Sequence, residues 1–247
     1  VNFGLRRPHR VVCLRRVGEL RRWQVGDDQV VLGAGTTYTD MVERLGDDLP
    51  GLAAAARTVG SPQIRNAGTL GGNIATASPA GDALPFLVAA DAVAVLRGPH
   101  GDREAAVADL ITGVKRTDIG PGEVVVEVRM PRFRGPQQFL KVGTRNAMVI
   151  AIASAALVVD VERHQVRGAL GSVAPVPVRI RRAEELINAE IDWEALTAPA
   201  AAVDAFAAAA AEAASPITDH RSTAAYRRRA VEVICARALR RCLTRVD

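Results

Sequence analysis

The sequence predicts an α+β protein of two units, on three observations. Short apolar runs of strand length alternate with helix-length segments through the first half of the chain. Longer apolar runs suited to antiparallel strands open the second half, then give way to alanine-rich and amphipathic stretches. Between them, residues 131–136 (PRFRGP) set two prolines and a glycine where neither helix nor ladder continues readily. The expected units are residues 1–135 and 136–247.

In the first unit, residues 30–32, 92–96 and 123–130 read as strands, and 38–45, 51–59 and 83–90 as helices. Residues 33–37 (GAGTT) read as a turn into the first of these helices, with Thr37 or Thr39 as its N-cap. The second unit opens with expected strands at 138–143, 149–161 and 165–173. Residues 199–214 are dominated by alanine, the strongest helix former, with Pro199 suited to a first turn and Ser215-Pro216 ending the helix. In 223–243, Val231, Ile234, Cys235, Ala238, Leu239 and Cys242 recur at helical spacing and form a core or subunit-facing stripe. Arg227, Arg228, Arg229, Arg237, Arg240 and Arg241 are expected on the solvated or partner-facing side of that helix.

Composition narrows the function. A chain of 247 residues with 49% apolar and 24% charged residues can bury ample cores and has ordinary globular composition. The longest uncharged apolar run, 147–159, is too short to cross a bilayer, and no charged n-region followed by an apolar h-region is visible. The sequence therefore reads as cytoplasmic, without a membrane span. The net charge of +5 is concentrated at the two ends, but aromatics are only 4% of residues and the only lysines are Lys115 and Lys141. Nucleic-acid binding is accordingly not expected. Cys13, Cys235 and Cys242 lack the spacing of a cluster or zinc site, and His9, His100, His164 and His220 are scattered. With no paired-carboxylate motif or Ser-His-Asp arrangement, no catalytic residue and no metal site are assigned. Such a chain suits a protein whose chemistry belongs to a cofactor.

Residues 65–85, RNAGTLGGNIATASPAGDALP, carry the strongest local signal. Gly71 and Gly72 lack a Cβ, so the backbone there is free to take positive φ and to approach a ligand closely. Successive N–H groups in such a turn can form an anion-binding nest. Thr69, Asn73 and Thr76 place hydroxyl and amide groups beside it, and Asp82 offers an acceptor for ribose or ribityl hydroxyls. The implied chemistry is capture of a dinucleotide pyrophosphate. The competing reading is an ordinary tight turn.

This stretch resembles the second flavin-binding motif of the FAD subunits of molybdenum hydroxylases, the family of xanthine dehydrogenases, aldehyde oxidoreductases and aerobic carbon monoxide dehydrogenases. Residues 11–45 are similar to the segment that precedes the motif, and 139–160, 168–187 and 222–239 resemble the C-terminal domain. The resemblance spans nearly the whole chain, in order. It implies a flavoprotein of the PCMH or vanillyl-alcohol-oxidase-like fold, followed by a small C-terminal α+β domain with an antiparallel sheet and helices.

One departure stands out. Family members open with a strand, a helix and a first glycine-rich motif of the type AGGTD, whereas this chain begins VNFGLRRPHRVVCL, similar to the segment just after it. LGAGTTYTD (32–40) does not replace it, because Glu19-Leu20 precedes it here. The expectation is an N-terminally incomplete FAD domain with weakened FAD binding. VNFGLRRP and GAGTTYTD look closer to xanthine dehydrogenase-like members.

Carried over residue by residue, the resemblance implies that Thr69, Leu70, Gly71, Gly72 and Asn73 line the pyrophosphate and ribityl region. Thr76 would lie beside the polar edge of the flavin and Asp82 on hydroxyls. Val59 would be an apolar contact, Val125 a source of backbone hydrogen bonds, and Lys141 a positive charge near the ring. For Lys141 the alternative is a solvated strand lysine. The resemblance further implies that a molybdenum cofactor and [2Fe-2S] clusters sit in partner subunits: a large molybdenum subunit and an iron–sulfur subunit of a heterotrimer, with dimerisation of the complex left open. FAD would take electrons from the clusters and pass them to NAD, a quinone or oxygen. Two other readings remain: a non-catalytic remnant acting as an interaction subunit, and a self-contained flavin oxidase of related fold.

Overall fold

The computed structural model describes residues 8–146 and 148–246, with backbone only for the last two of these. Two short 3-10 turns, Leu14–Arg16 and Gly18–Arg21, lead into strands β1 (Trp23–Val25) and β2 (Gln29–Gly33). Helix α1 (Tyr38–Arg44) begins where Thr37 accepts from the Asp40 N–H while Asp40 accepts from the Thr37 N–H, a reciprocal cap. Helices α2 (Pro50–Arg57) and α3 (Pro62–Ala67) both begin on proline, whose missing N–H costs nothing in a first turn. Then follow α4 (Leu70–Thr76), α5 (Ala83–Ala89), β3 (Val93–Gly98), β4 (Gly101–Ala106), α6 (Val107–Leu110), β5 (Ile111–Gly113), β6 (Arg116–Thr117) and β7 (Val124–Pro131). Five of these strands form one sheet in the order β1-β2-β7-β3-β4, every pairing antiparallel.

The second half begins with β8 (Gln137–Val142), β9 (Ala153–Asp160), β10 (Gln165–Gly171) and β11 (Val178–Arg179), which make a four-stranded antiparallel sheet in the order β11-β10-β9-β8. Helix α7 (Arg181–Asn188) follows, then β12 (Thr197–Ala198), α8 (Ala200–Glu212), α9 (Ala224–Cys242) and β13 (Arg245–Val246). The expected strand over 149–161 starts only at Ala153: Ile150 lies exposed, outside the ladder. Pro199 is the N-cap of α8 instead of a first-turn residue.

Strand β9 explains why its sequence reads as an unbroken apolar run. Ala156 and Val158 pack into the core of the first half, with Phe139 and Ala169, while Ala153, Ala155, Leu157 and Val159 face the core beneath α7, α8 and α9. Successive residues of a strand point to opposite faces, and here both faces are buried. The sheet is thus shared: α2 and α5 cover one side of it and α9 the other.

The last helix departs from expectation at one arginine. Arg228, Arg229, Arg237, Arg240 and Arg241 are exposed, as expected. Arg227 is buried and donates to the carbonyls of Ile152 and Ser172 and to Asp219. Its two terminal nitrogens meet fixed acceptors that tie α9 to the ends of β9 and β10, while Nε is buried without a partner. Cys235 and Cys242 lie in the same apolar stripe, and burial pushes both thiols up to about 12. No metal-binding cluster is present among the described residues.

Candidate functional site

The glycine pair is helical. Gly71 and Gly72 sit in the first turn of α4 and neither has a positive φ, so the expected nest is not formed. Thr69 is the extended N-cap, its hydroxyl accepting from the Gly72 N–H at 3.1 Å. The other first-turn amides are also engaged within the chain. Leu70 N–H donates to the Thr36 carbonyl at 3.0 Å, Gly71 N–H to Ala34 at 2.8 Å and Asn73 N–H to Thr69 at 3.0 Å. The glycines serve close approach. A Cβ on Gly71 would stand 2.6 Å from that of Ala34, so helix and loop could not meet. A Cβ on Gly72 would meet only the Thr69 hydroxyl, at 3.0 Å, on the open side.

That docking of α4 on the 34–37 loop creates one wall of a cleft of about 470 Å³. Gly35, Thr37, Asn66, Thr69, Gly71 and Gly72 line this wall. The 3-10 turns contribute Leu14, Arg15, Leu20 and Arg21, and the entry to β7 contributes Ile119, Glu123 and Val125. Thr39 donates to the Oδ1 of Asn66 at 2.5 Å, which leaves the Asn66 amide hydrogens for another acceptor. Glu123 is held by Arg103 through two bonds of 2.7 and 2.9 Å and accepts from the Gly120 N–H. Arg103 and that amide hold its carboxyl near 2, well below the ordinary range.

Of the residues expected to hold flavin, Thr69, Gly71, Gly72 and Val125 meet in this cleft. Leu70 is fully buried core and contributes through packing. Thr76 is exposed one turn on, its hydroxyl donating to the Gly72 carbonyl at 2.6 Å. Val59 is half-buried against the first core, and its carbonyl accepts from Arg65.

Asp82 and Lys141 form a separate centre. Lys141 is no solvated strand lysine: its Nζ lies 2.6 Å from Asp82 Oδ2, and the side chains are 8% and 6% exposed. It also donates to the Thr58 carbonyl. Its charge is therefore already matched. Burial pushes the Asp82 carboxyl above its ordinary value, against the pull of Lys141 and the Thr58 hydroxyl. Tyr38, buried close by, has its phenol pushed up by burial first and by Asp82 second. Asn73 faces this side of α4, because a Cβ on Gly81 would lie 2.9 Å from its Nδ2. The Oδ1 atoms of Asn73 and Asp82 are buried without a hydrogen-bond partner.

Sequence comparison gives this geometry a context. Residues 1–133 match the family described as the FAD binding domain in molybdopterin dehydrogenase, and residues 138–242 match the CO dehydrogenase flavoprotein C-terminal domain. The chain belongs to the FAD-binding subunits of the molybdenum hydroxylase family. It is therefore an oxidoreductase subunit. Among its relatives, the glyceraldehyde dehydrogenase medium chain of Sulfolobus acidocaldarius is 29% identical over 94% of this chain and 83% of its own length. The carbon monoxide dehydrogenase medium chain of Afipia carboxidovorans is 30% identical over 96% and 83%. A chain of a solved Cu,Mo-CO dehydrogenase in its cyanide-inactivated form superposes with a TM-score of 0.82 at 28% identity, covering 93% of this chain and 80% of that one.

The cleft of this flavoprotein subunit fits part of such a cofactor. Its volume lies within the range of small-molecule sites, its walls are largely apolar, and Gly72 leaves one side open to a bulky anion. Gly35, Thr37, Asn66, Arg15 and Arg21 were not assigned to the site from sequence. The GAGTT turn was the available signal for the first two, but only the hydrogen bonds between loop and helix bring it beside Thr69.

Proposed function

We propose that this flavoprotein subunit holds FAD in the cleft between α4, the 34–37 loop and β7. There it relays electrons from the iron–sulfur clusters of a partner subunit to NAD, a quinone or oxygen. Substrate oxidation belongs to a large molybdenum subunit of the same complex. The observation that carries this reading is the succession of two matched regions, an FAD domain then a flavoprotein C-terminal domain, with a glycine-bordered cleft built within the first. The printed names of relatives add support, since they are medium chains, FAD subunits or complex subunits of dehydrogenases.

In this reading FAD supplies the redox chemistry, and the chain binds, orients and shields it. Gly72 and Thr69 would border its polar chain, and Val125 and Ile119 would exclude water from its apolar surface. Asp82 and Lys141 would act behind α4: a matched pair fixes the loop that follows the helix without adding net charge. The described residues include no helix long and apolar enough to cross a membrane.

The test is co-expression with candidate iron–sulfur and molybdenum subunits from the same source, followed by anaerobic addition of aldehyde, purine or carbon monoxide. Bleaching of the flavin band in the assembly, but not in the lone subunit, is the expected result. A lone subunit whose flavin is reduced directly by substrate would overturn the relay and favour a self-contained oxidase.

A further inference from the structure

The cleft contains more positive charge than its walls neutralise. The first-turn amides of α4 are spent on Thr36, Ala34 and Thr69, so that helix offers a phosphate no free N–H from Leu70, Gly71, Gly72 or Asn73. A diphosphate in the cleft would need another donor. Arg15 and Arg21 both line it, both are exposed, and neither makes a side-chain hydrogen bond or ion pair among the described residues. The nearby carboxylates do not compensate them. Glu19 pairs with Arg97 at 2.8 Å, and Glu123 pairs with Arg103 at 2.7 Å.

Arg21 is also the better anchored of the two. Gly35 N–H donates to the Leu20 carbonyl at 2.6 Å, and Gly33 N–H donates to the Arg22 carbonyl at 2.7 Å, so the backbone is pinned on both sides of it. A Cβ on Gly35 would stand 2.9 Å from the Leu20 carbonyl oxygen and 3.3 Å from Arg21 Cγ. The absence of a side chain at Gly35 is what lets the arginine stem lie across the loop at the rim of the cleft. A guanidinium so placed offers a planar fork of donors matched to phosphate oxygens.

We infer that Arg21, seconded by Arg15, is the cation that recognises the diphosphate of the nucleotide ligand in this cleft. The inference rests on the flavin reading above and adds to it the residue that distinguishes charged from neutral ligands. It separates two contributions: the apolar walls would bind the rings of any flavin, and Arg21 would bind only those carrying phosphate.

The experiment titrates the purified full chain with FAD, ADP and riboflavin by calorimetry, for wild type, Arg21→Ala, Arg21→Lys and Arg15→Ala. Circular dichroism and thermal melts check each fold. Arg21→Ala should weaken FAD and ADP about tenfold or more, the size of one charge-assisted hydrogen bond, and change riboflavin less than about twofold. Arg21→Lys should restore most of the loss, and added salt should weaken FAD binding less in Arg21→Ala than in wild type. Wild type binding FAD with Arg21→Ala unchanged would overturn this inference alone. A wild-type chain that takes up none of the three ligands would overturn the flavin reading and this inference with it.

Discussion

In the cleft, Arg15 and Arg21 stand exposed with no carboxylate partner among the described residues, whereas behind α4 Lys141 is buried against Asp82 at 2.6 Å. The two regions share a helix: Gly72 opens toward the cleft and Asn73 turns toward the 81–82 loop. They handle charge in opposite ways. An exposed guanidinium keeps its hydration until a ligand replaces it and costs the fold little. A buried ammonium must be matched within the fold, because an isolated charge there would be costly. The two proposed phosphate-binding arginines thus stand where the fold does not depend on their charge, and the matched pair sits where ligand exchange would unbalance it.

The comparison is most easily broken at the buried pair. Asp82→Asn leaves Lys141 buried without its counter-charge and should cost about 3–5 kcal/mol in urea denaturation. Replacing both, with Asp82→Leu and Lys141→Met, should cost far less than the single change. Equal losses would mean that the pair is not coupled.

The two glycines sharpen the contrast within one turn. Gly71→Ala drives a methyl to 2.6 Å from the Ala34 Cβ and should destabilise the fold by about 1–3 kcal/mol, as overpacking does. Gly72→Val faces the open side. It should leave circular dichroism largely unchanged while abolishing flavin uptake, read from absorbance at the flavin band. Normal flavin content in that variant would remove the cleft from consideration as the cofactor site.

A smaller effect is expected at the cap. Thr69→Ala frees the Gly72 N–H and should cost about 1 kcal/mol, measured by thermal unfolding.

Smallest of all is the acid dependence of Glu123. Its folded pKa near 2 lies below the ordinary glutamate value of about 4.3. Its contribution to stability is therefore full above about pH 4.3 and is lost as pH falls through 2. Glu123→Gln should lower stability at neutral pH, and the gap from wild type should close progressively on acidification below about pH 4.3. A gap that stays constant from pH 6 down to about pH 2 would show that the Arg103 pair does not set this pKa.

Much of the fold was legible because local rules and packing agree. Thr37 caps α1 through Asp40, three residues on, and the Val231–Cys242 stripe is buried in the order its spacing implies. The fold class and the family were legible from residues 65–85 and the flanking matches. Less legible were the positions where a tertiary partner overrides the local pattern. Arg227 looks like its exposed neighbours Arg228 and Arg229, and only Asp219 with the carbonyls of Ile152 and Ser172 draws it inside. The Gly71-Gly72 pair reads as a turn, but Thr69 caps it into a helix whose amides the 34–37 loop consumes.

The sequence by itself determined the α+β class, the family and the segment that borders the cleft, because these rest on residue types at fixed spacing along the chain. The tertiary structure decided which charges are free. Lys141 and Asp82, fifty-nine residues apart, and Glu19 and Arg97, seventy-eight apart, find each other only after folding. What remains unpaired at the cleft is then set by that pairing, since charge neutralisation depends on distance in space and not on order in the chain.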